Sequence, residues 1–172
     1  MTVYFFIIIL ICVLDQLSKN WAMDFIAAAN GIASDAISGG DSVSIIKGFL
    51  NFTYVENDGM SFGLLGDHRW VFMSLSTIGI LAMTCYLVYL NLKGNDKLLS
   101  FALALVIGGG IGNMFDRVVL GYVVDFIDVC CFDFWVWTFN VADSAICIGA
   151  GFIVLAVIIE AVNEYKQKRA AK

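Results

Sequence analysis

Long apolar stretches alternate with short polar ones along the chain, the pattern expected of helices that cross a bilayer. A crossing helix needs about 20 mostly apolar residues. Four segments qualify: about Val3–Ala22, whose unbroken apolar part ends at Leu14, then Trp70–Leu92, Leu98–Phe115 and Phe139–Val162. The first lacks a basic leader and a clear cleavage site, so it reads as a span and not as a secretory signal. Two shorter segments, "GFLNFTYVEND" (Gly48–Asp58) and "LGYVVDFIDV" (Leu120–Val129), are rich in aromatic and β-branched residues and read as strands. Ala27–Ser42 is small and polar and reads as a mobile loop. The expected architecture is one integral membrane domain over residues 1–172. It is an all-α bundle of four transmembrane helices carrying a small extracytoplasmic β-sheet.

Composition supports the membrane class. The chain is 60% hydrophobic and only 15% charged over 172 residues, against about 45–50% apolar in ordinary soluble domains. The formal net charge of −5 argues against a nucleic-acid partner. Cys12, Cys85 and Cys147 lie in apolar runs, and no cysteine pair has zinc-type spacing. Charge sets the orientation. Lys93 and Lys97 sit in one loop, and Lys166, Lys168, Arg169 and Lys172 in the tail. Both regions can be cytoplasmic only if the N-terminus is too. That side then holds six Lys/Arg against three acids, and the other holds four against twelve, in agreement with the positive-inside rule. Trp21, Trp70, Trp135 and Trp137 fall at the outer boundaries.

The polar residues inside the spans share one depth. Leu98 to Asp116 and Asp143 to Ala161 are each eighteen residues apart, about 27 Å of helix counted from the cytoplasmic side. Asp15 lies about 20 Å from Thr2 by the same arithmetic. Asp15 and Lys19 are i,i+4, as are Asn113 and Arg117; Asn113–Asp116 and Asn140–Asp143 are i,i+3. Each helix therefore offers a polar stripe and not a polar ring. "GGGIGN" (Gly108–Asn113) in the third span follows no strand, so it reads as a close helix contact or a place where a backbone or substrate approaches.

The single histidine, His68, falls in an outer loop, and no nucleophile–base pair or metal-ligand set assembles from the stripes. Neither metal nor other cofactor is expected. What remains is carboxylates with Lys, Arg and Asn. Two carboxylates sharing a proton can activate water and protonate a leaving amine. Asp143 is one candidate. Asp116 stands beside Arg117, which would hold it ionised. Asp125, in "VVDFI", has the apolar neighbours that raise a carboxyl pKa. The physical argument prefers Asp125 with Asp143, with Asp116 and Arg117 as active-site support, without closing the choice of partner. Asp128 and Asp133 read as solvated loop carboxylates.

Five blocks, in order, carry a resemblance: "DQLSK" at Asp15–Lys19, "NDGMSF" at Asn57–Phe62, "GGGIGNMFDR" at Gly108–Arg117, "VVDFI" at Val123–Ile127 and "FNVADSAI" at Phe139–Ile146. The chain resembles the lipoprotein signal peptidases (signal peptidase II), aspartyl proteases of the bacterial inner membrane. The resemblance implies four helices with an extracytoplasmic β-cradle and a mobile periplasmic loop or helix. It implies Asp125 and Asp143 as catalytic and Asn113, Arg117 and Asn140 as active-site support. Asp15 and Lys19 would be structural or site-stabilising, with Asn57 and Gly59 beside the substrate. The implied substrate is a prolipoprotein with a diacylglyceryl cysteine, cut just before that cysteine by a monomeric enzyme among membrane lipids.

Two rival functions are an intramembrane proton or ion conduit and a non-catalytic assembly protein. A conduit needs acids at several depths. The fourth span offers only Glu160 near its cytoplasmic end.

Overall fold

The computed structural model describes residues 1–58, 69–94, 96–130 and 137–170. Its four long helices are α1 (Thr2–Asn30), α2 (Arg69–Lys93), α3 (Lys97–Val119) and α4 (Val141–Ala170). All four are long and apolar enough to span a membrane. Their outward side chains, such as Phe6, Leu75, Ile78 and Ile158, are exposed apolar groups suited to lipid.

α1 continues eight residues beyond the expected boundary at Ala22. Its 29 residues make about 43 Å of helix, well over the ~30 Å hydrocarbon core. It ends at Gly31, which takes φ +70°, while the Ile32 N–H bonds Ala27 O at 3.0 Å. That is a left-handed helix stop that glycine adopts without Cβ strain. The segment expected as loop therefore begins as helix, with Ala27 buried, and also holds a 3-10 turn at Ser34–Ala36.

The projecting end of α1 supports a four-stranded antiparallel sheet: β1 (Ser42–Ile46), β2 (Leu50–Asn57), β3 (Val123–Val129) and β4 (Thr138–Phe139), in that spatial order. β2 and β3 fall within the two expected strand segments; β1 and β4 are additional. Ile26, Tyr54 and Val124 form the core between helix and sheet. Trp21, Phe25, Phe52 and Phe126 extend it as a chain of stacked and edge-on rings. Asp128, expected in a loop, lies in β3 and accepts hydrogen bonds from Asn51 and Thr53. Asp133 and Trp135 lie outside the described residues.

α3 is the hub. In its most apolar stretch 56% of residues are buried, against 11–17% in the other helices. The glycine run explains how three neighbours fit around it. A Cβ at Gly108 would stand 3.0 Å from Ile11 Cβ of α1, and one at Gly110 would stand 3.2 Å from Ile80 of α2. One at Gly109 would collide with the Ala142 carbonyl of α4, and one at Gly112 would lie 2.8 Å from Asp15 Oδ2. Successive glycines thus face successive helices, so the run is a three-way packing surface.

Candidate active site

Two polar clusters occupy the outer end of the bundle, one above the other. In the lower one, Lys19 Nζ lies 2.7 Å from both Asp15 Oδ2 and Asp116 Oδ2. All three side chains are essentially buried. Gln16 Nε2 donates to Asp116 Oδ1 at 2.7 Å, Val124 N–H to Asp116 Oδ2 at 3.2 Å, and Ala142 N–H to Asp15 Oδ1 at 2.9 Å. One ammonium and three further donors thus serve two carboxylates. The cluster joins α1, α3, β3 and α4. Arg117, expected to hold Asp116 ionised, does act on it by charge, and the salt bridge to Asp116 comes from Lys19. Packing of α1 against α3 delivers Lys19 to Asp116.

The upper cluster is built on amides. Asn140 caps the N-terminus of α4: its Oδ1 accepts the Asp143 N–H at 2.9 Å, and Asp143 Oδ2 accepts the Asn140 N–H at 3.3 Å. This reciprocal pair is a capping box, and it fixes the Asp143 side chain at the helix entrance. Asn140 Nδ2 donates to Asp125 Oδ1 at 2.6 Å, with Asn113 Oδ1 at 3.1 Å and Val124 O at 3.2 Å. Asn113 Nδ2 in turn donates to Asp143 Oδ1 at 2.7 Å. From β2, Asn57 Nδ2 donates to Asp125 Oδ2 at 2.8 Å. Lys19 Nζ, 3.2 Å from Asn113 Oδ1, links the two clusters, as does Val124, whose N–H serves Asp116 and whose carbonyl serves Asn140. Arg117 Nη1 donates to Asn113 O at 3.2 Å, and its charge acts on Asp143, Asp125 and Asp116, most strongly on Asp143.

The two acids of the upper cluster differ in surroundings. Asp125 is 1% exposed, whereas Asp143 is half-buried. Burial first, and then the charge of Asp143, push the Asp125 carboxyl up to about 6 against the bonds from Asn57 and Asn140. A cavity of about 220 Å³ lined by Val55, Glu56, Asn57, Asp58, Asp125, Trp137 and Thr138 opens beside Asp125.

The fold thus gathers Asp15, Lys19, Asn57, Asn113, Asp116, Arg117, Asp125, Asn140 and Asp143 into one region. Gly59 lies outside the described residues. Two contributions escaped the sequence reading: the bond from Gln16 to Asp116 and the capping role of Asn140. The second was signalled by Asn-x-x-Asp ahead of an apolar run. Among the described residues, no buried side-chain nitrogen or oxygen lacks a hydrogen-bond partner.

Known proteins match this arrangement. The family described as "Signal peptidase (SPase) II" matches residues 7–159. A lipoprotein signal peptidase from Yersinia enterocolitica is 39% identical over 150 residues, covering 85% of this chain and 80% of that protein. One from Clostridioides difficile is 35% identical over 155 residues, covering 90% and 94%. One from Halalkalibacterium halodurans is 32% identical over 168 residues, covering 98% and 99%. A bacterial membrane enzyme solved by the in meso method at 2.3 Å resolution superposes with a TM-score of 0.71 at 30% identity, covering 95% of this chain and 92% of that one. With its four spans, its sheet and its polar end layer, the chain belongs to the signal peptidase II family.

Proposed function

We propose that this chain is a membrane aspartic endopeptidase that removes the signal peptide from prolipoproteins, with Asp125 and Asp143 as its catalytic pair. The observation that carries the reading is the upper cluster. Two electrostatically coupled carboxylates are joined through Asn140 and Asn113, and one of them is held up to about 6. Asp125 carries the proton the pair shares, and Asp143 acts as the base. Asp143 takes a proton from water as its oxygen attacks the scissile carbonyl, while Asp125 donates to the carbonyl oxygen. The tetrahedral intermediate collapses as Asp143 passes its proton to the leaving amine and the C–N bond breaks. Asp125 recovers its own proton as the carbonyl re-forms. Asn140 and Asn113 hold both carboxylates in place, and Arg117 balances their charge. Asn57 orients Asp125 from the substrate side.

The substrate bond lies just before a diacylglyceryl cysteine. The enzyme works as a monomer among lipids, with both termini cytoplasmic and the site near the outer face of the inner membrane. The charge asymmetry of the loops supports that orientation. The conduit reading gains no support: among the described residues the buried acids, Asp15, Asp116 and Asp125, all lie at one end, and Glu160 is exposed.

Incubating the purified protein with a diacylglyceryl-modified prolipoprotein tests the function. Release of the signal peptide from the modified form and not from the unmodified one is the expected outcome. Intact modified precursor at the end of the incubation would refute it.

A further inference from the structure

The β1–β2 hairpin ends in a tip that no part of the described chain covers. Ile45, Ile46 and Phe49 are 41%, 51% and 48% exposed, and Lys47 between them is exposed as well. The tip is well formed. Phe49 N–H bonds Ile46 O at 2.9 Å, Gly48 takes φ +74° at the third turn position, and Cys130 N–H ties Phe49 O at 2.8 Å. The sheet register slips between Ser44 and Ile46, so Ile45 is an extra residue bulged into the tip. Three large apolar groups on a soluble hairpin's end would be an aggregation liability.

The direction of β2 indicates what they meet. Tyr54 clusters with Ile26 near the outer end of α1, whereas Phe52, two residues closer to the tip, packs on Trp21 and Phe25. The strand therefore travels from the projecting end of α1 back toward its membrane-spanning part. Trp21 is 53% exposed beside that contact, as befits a ring at the lipid–water boundary. At ~3.3 Å per residue, the tip reaches about 10 Å past Phe52 in the same direction. Charge fits as well: a lone exposed lysine among apolar residues suits a boundary where lipid phosphates overlie acyl chains.

We propose that the tip, residues 45–49, inserts into the lipid interface of the leaflet under the sheet. Ile45, Ile46 and Phe49 enter the acyl region, and Lys47 meets the headgroup phosphates. The sheet would then be pinned at both sides, by α1 on one and by lipid on the other. That would hold Asn57 and the cavity beside Asp125 at a fixed height above the membrane. The inference rests on the reading of α1–α4 as membrane spans and not on the roles of the aspartates.

The test places bimane labels on Ile46→Cys, Phe49→Cys and, as a water-facing control in the 3-10 turn, Asp35→Cys. The background has its five cysteines replaced by alanine, and the protein is reconstituted in phosphatidylcholine–phosphatidylglycerol nanodiscs. The expected result is strong quenching at 46 and 49 by lipids carrying a nitroxide high on the acyl chain. Iodide quenching there should be several-fold weaker than at 35. Adding Lys47→Glu should weaken the nitroxide quenching at 46 and 49 by about twofold at fixed anionic lipid content. Iodide access equal to that of position 35 would overturn the proposal. So would protection from iodide without nitroxide quenching, which would mean that protein covers the tip. Nitroxide quenching unaffected by Lys47→Glu would overturn the headgroup contact.

Discussion

Two carboxylate pairs lie next to each other in this molecule, and they are built oppositely. Asp15 and Asp116 are bridged by an ammonium, 2.7 Å from each. Asp125 and Asp143 are bridged by side-chain amides, through Asn140 and Asn113. A cation between two buried acids compensates both charges, and the assembly then works as a clamp between helices. Amides orient carboxylates without carrying charge of their own; the Arg117 charge acts on both acids, yet burial and the charge of Asp143 still hold the Asp125 carboxyl up, so the second pair can share a proton. On the proposed function, the difference separates a structural cluster from a reactive one among residues of the same type at nearly the same depth.

The comparison can be broken at several points. The largest expected effect is on the reactive pair. Asp125→Asn or Asp143→Asn should lower the cleavage rate by about a hundredfold to ten-thousandfold while the melting temperature in detergent barely falls. Lys19→Met should do the reverse. It strands two buried carboxylates and should cost about 3–5 kcal/mol in stability, read by thermal unfolding. Adding Asp15→Asn and Asp116→Asn to it should recover part of that loss. Asn140→Ala touches both functions. It removes a helix cap worth about 1 kcal/mol and the bridge to Asp125, so kcat should fall more than KM rises. Gly112→Ala pushes a methyl toward Asp15 Oδ2 and should cost about 1–3 kcal/mol, with cleavage by the folded fraction largely kept.

Much of this was legible in the sequence, because bilayer physics writes itself into long apolar runs. The four spans, the strands at Leu50–Asn57 and Val123–Val129, and the common depth of Asp15, Asp116 and Asp143 all follow from period, length and spacing. Other features depend on distant partners. β1 is short and mostly exposed, and β4 is two residues long, so neither carries a strand signal without the neighbour that pairs it. α1 overran its apolar segment because its last turns are held by the sheet through Ile26, not by lipid. The cation that bridges Asp116 also lies far off in sequence. Arg117 is adjacent in sequence, but Lys19 on α1 is what the helix packing delivers. The role of the glycine run depends on partners from three helices: Gly108 and Gly112 face α1, Gly109 faces α4 and Gly110 faces α2.

The central claim is that the amide-linked pair works by holding one proton between two acids, and the pH dependence of kcat/KM for the wild-type enzyme tests it most directly. Burial and the charge of Asp143 raise the Asp125 carboxyl to about 6. The protonated form is therefore lost as the pH rises through that value. The account predicts that kcat/KM, which reports the free enzyme, falls above about pH 6, approaching tenfold per unit. A rate that climbs across the same range, as a lone ionised carboxylate acting as base would give, contradicts it.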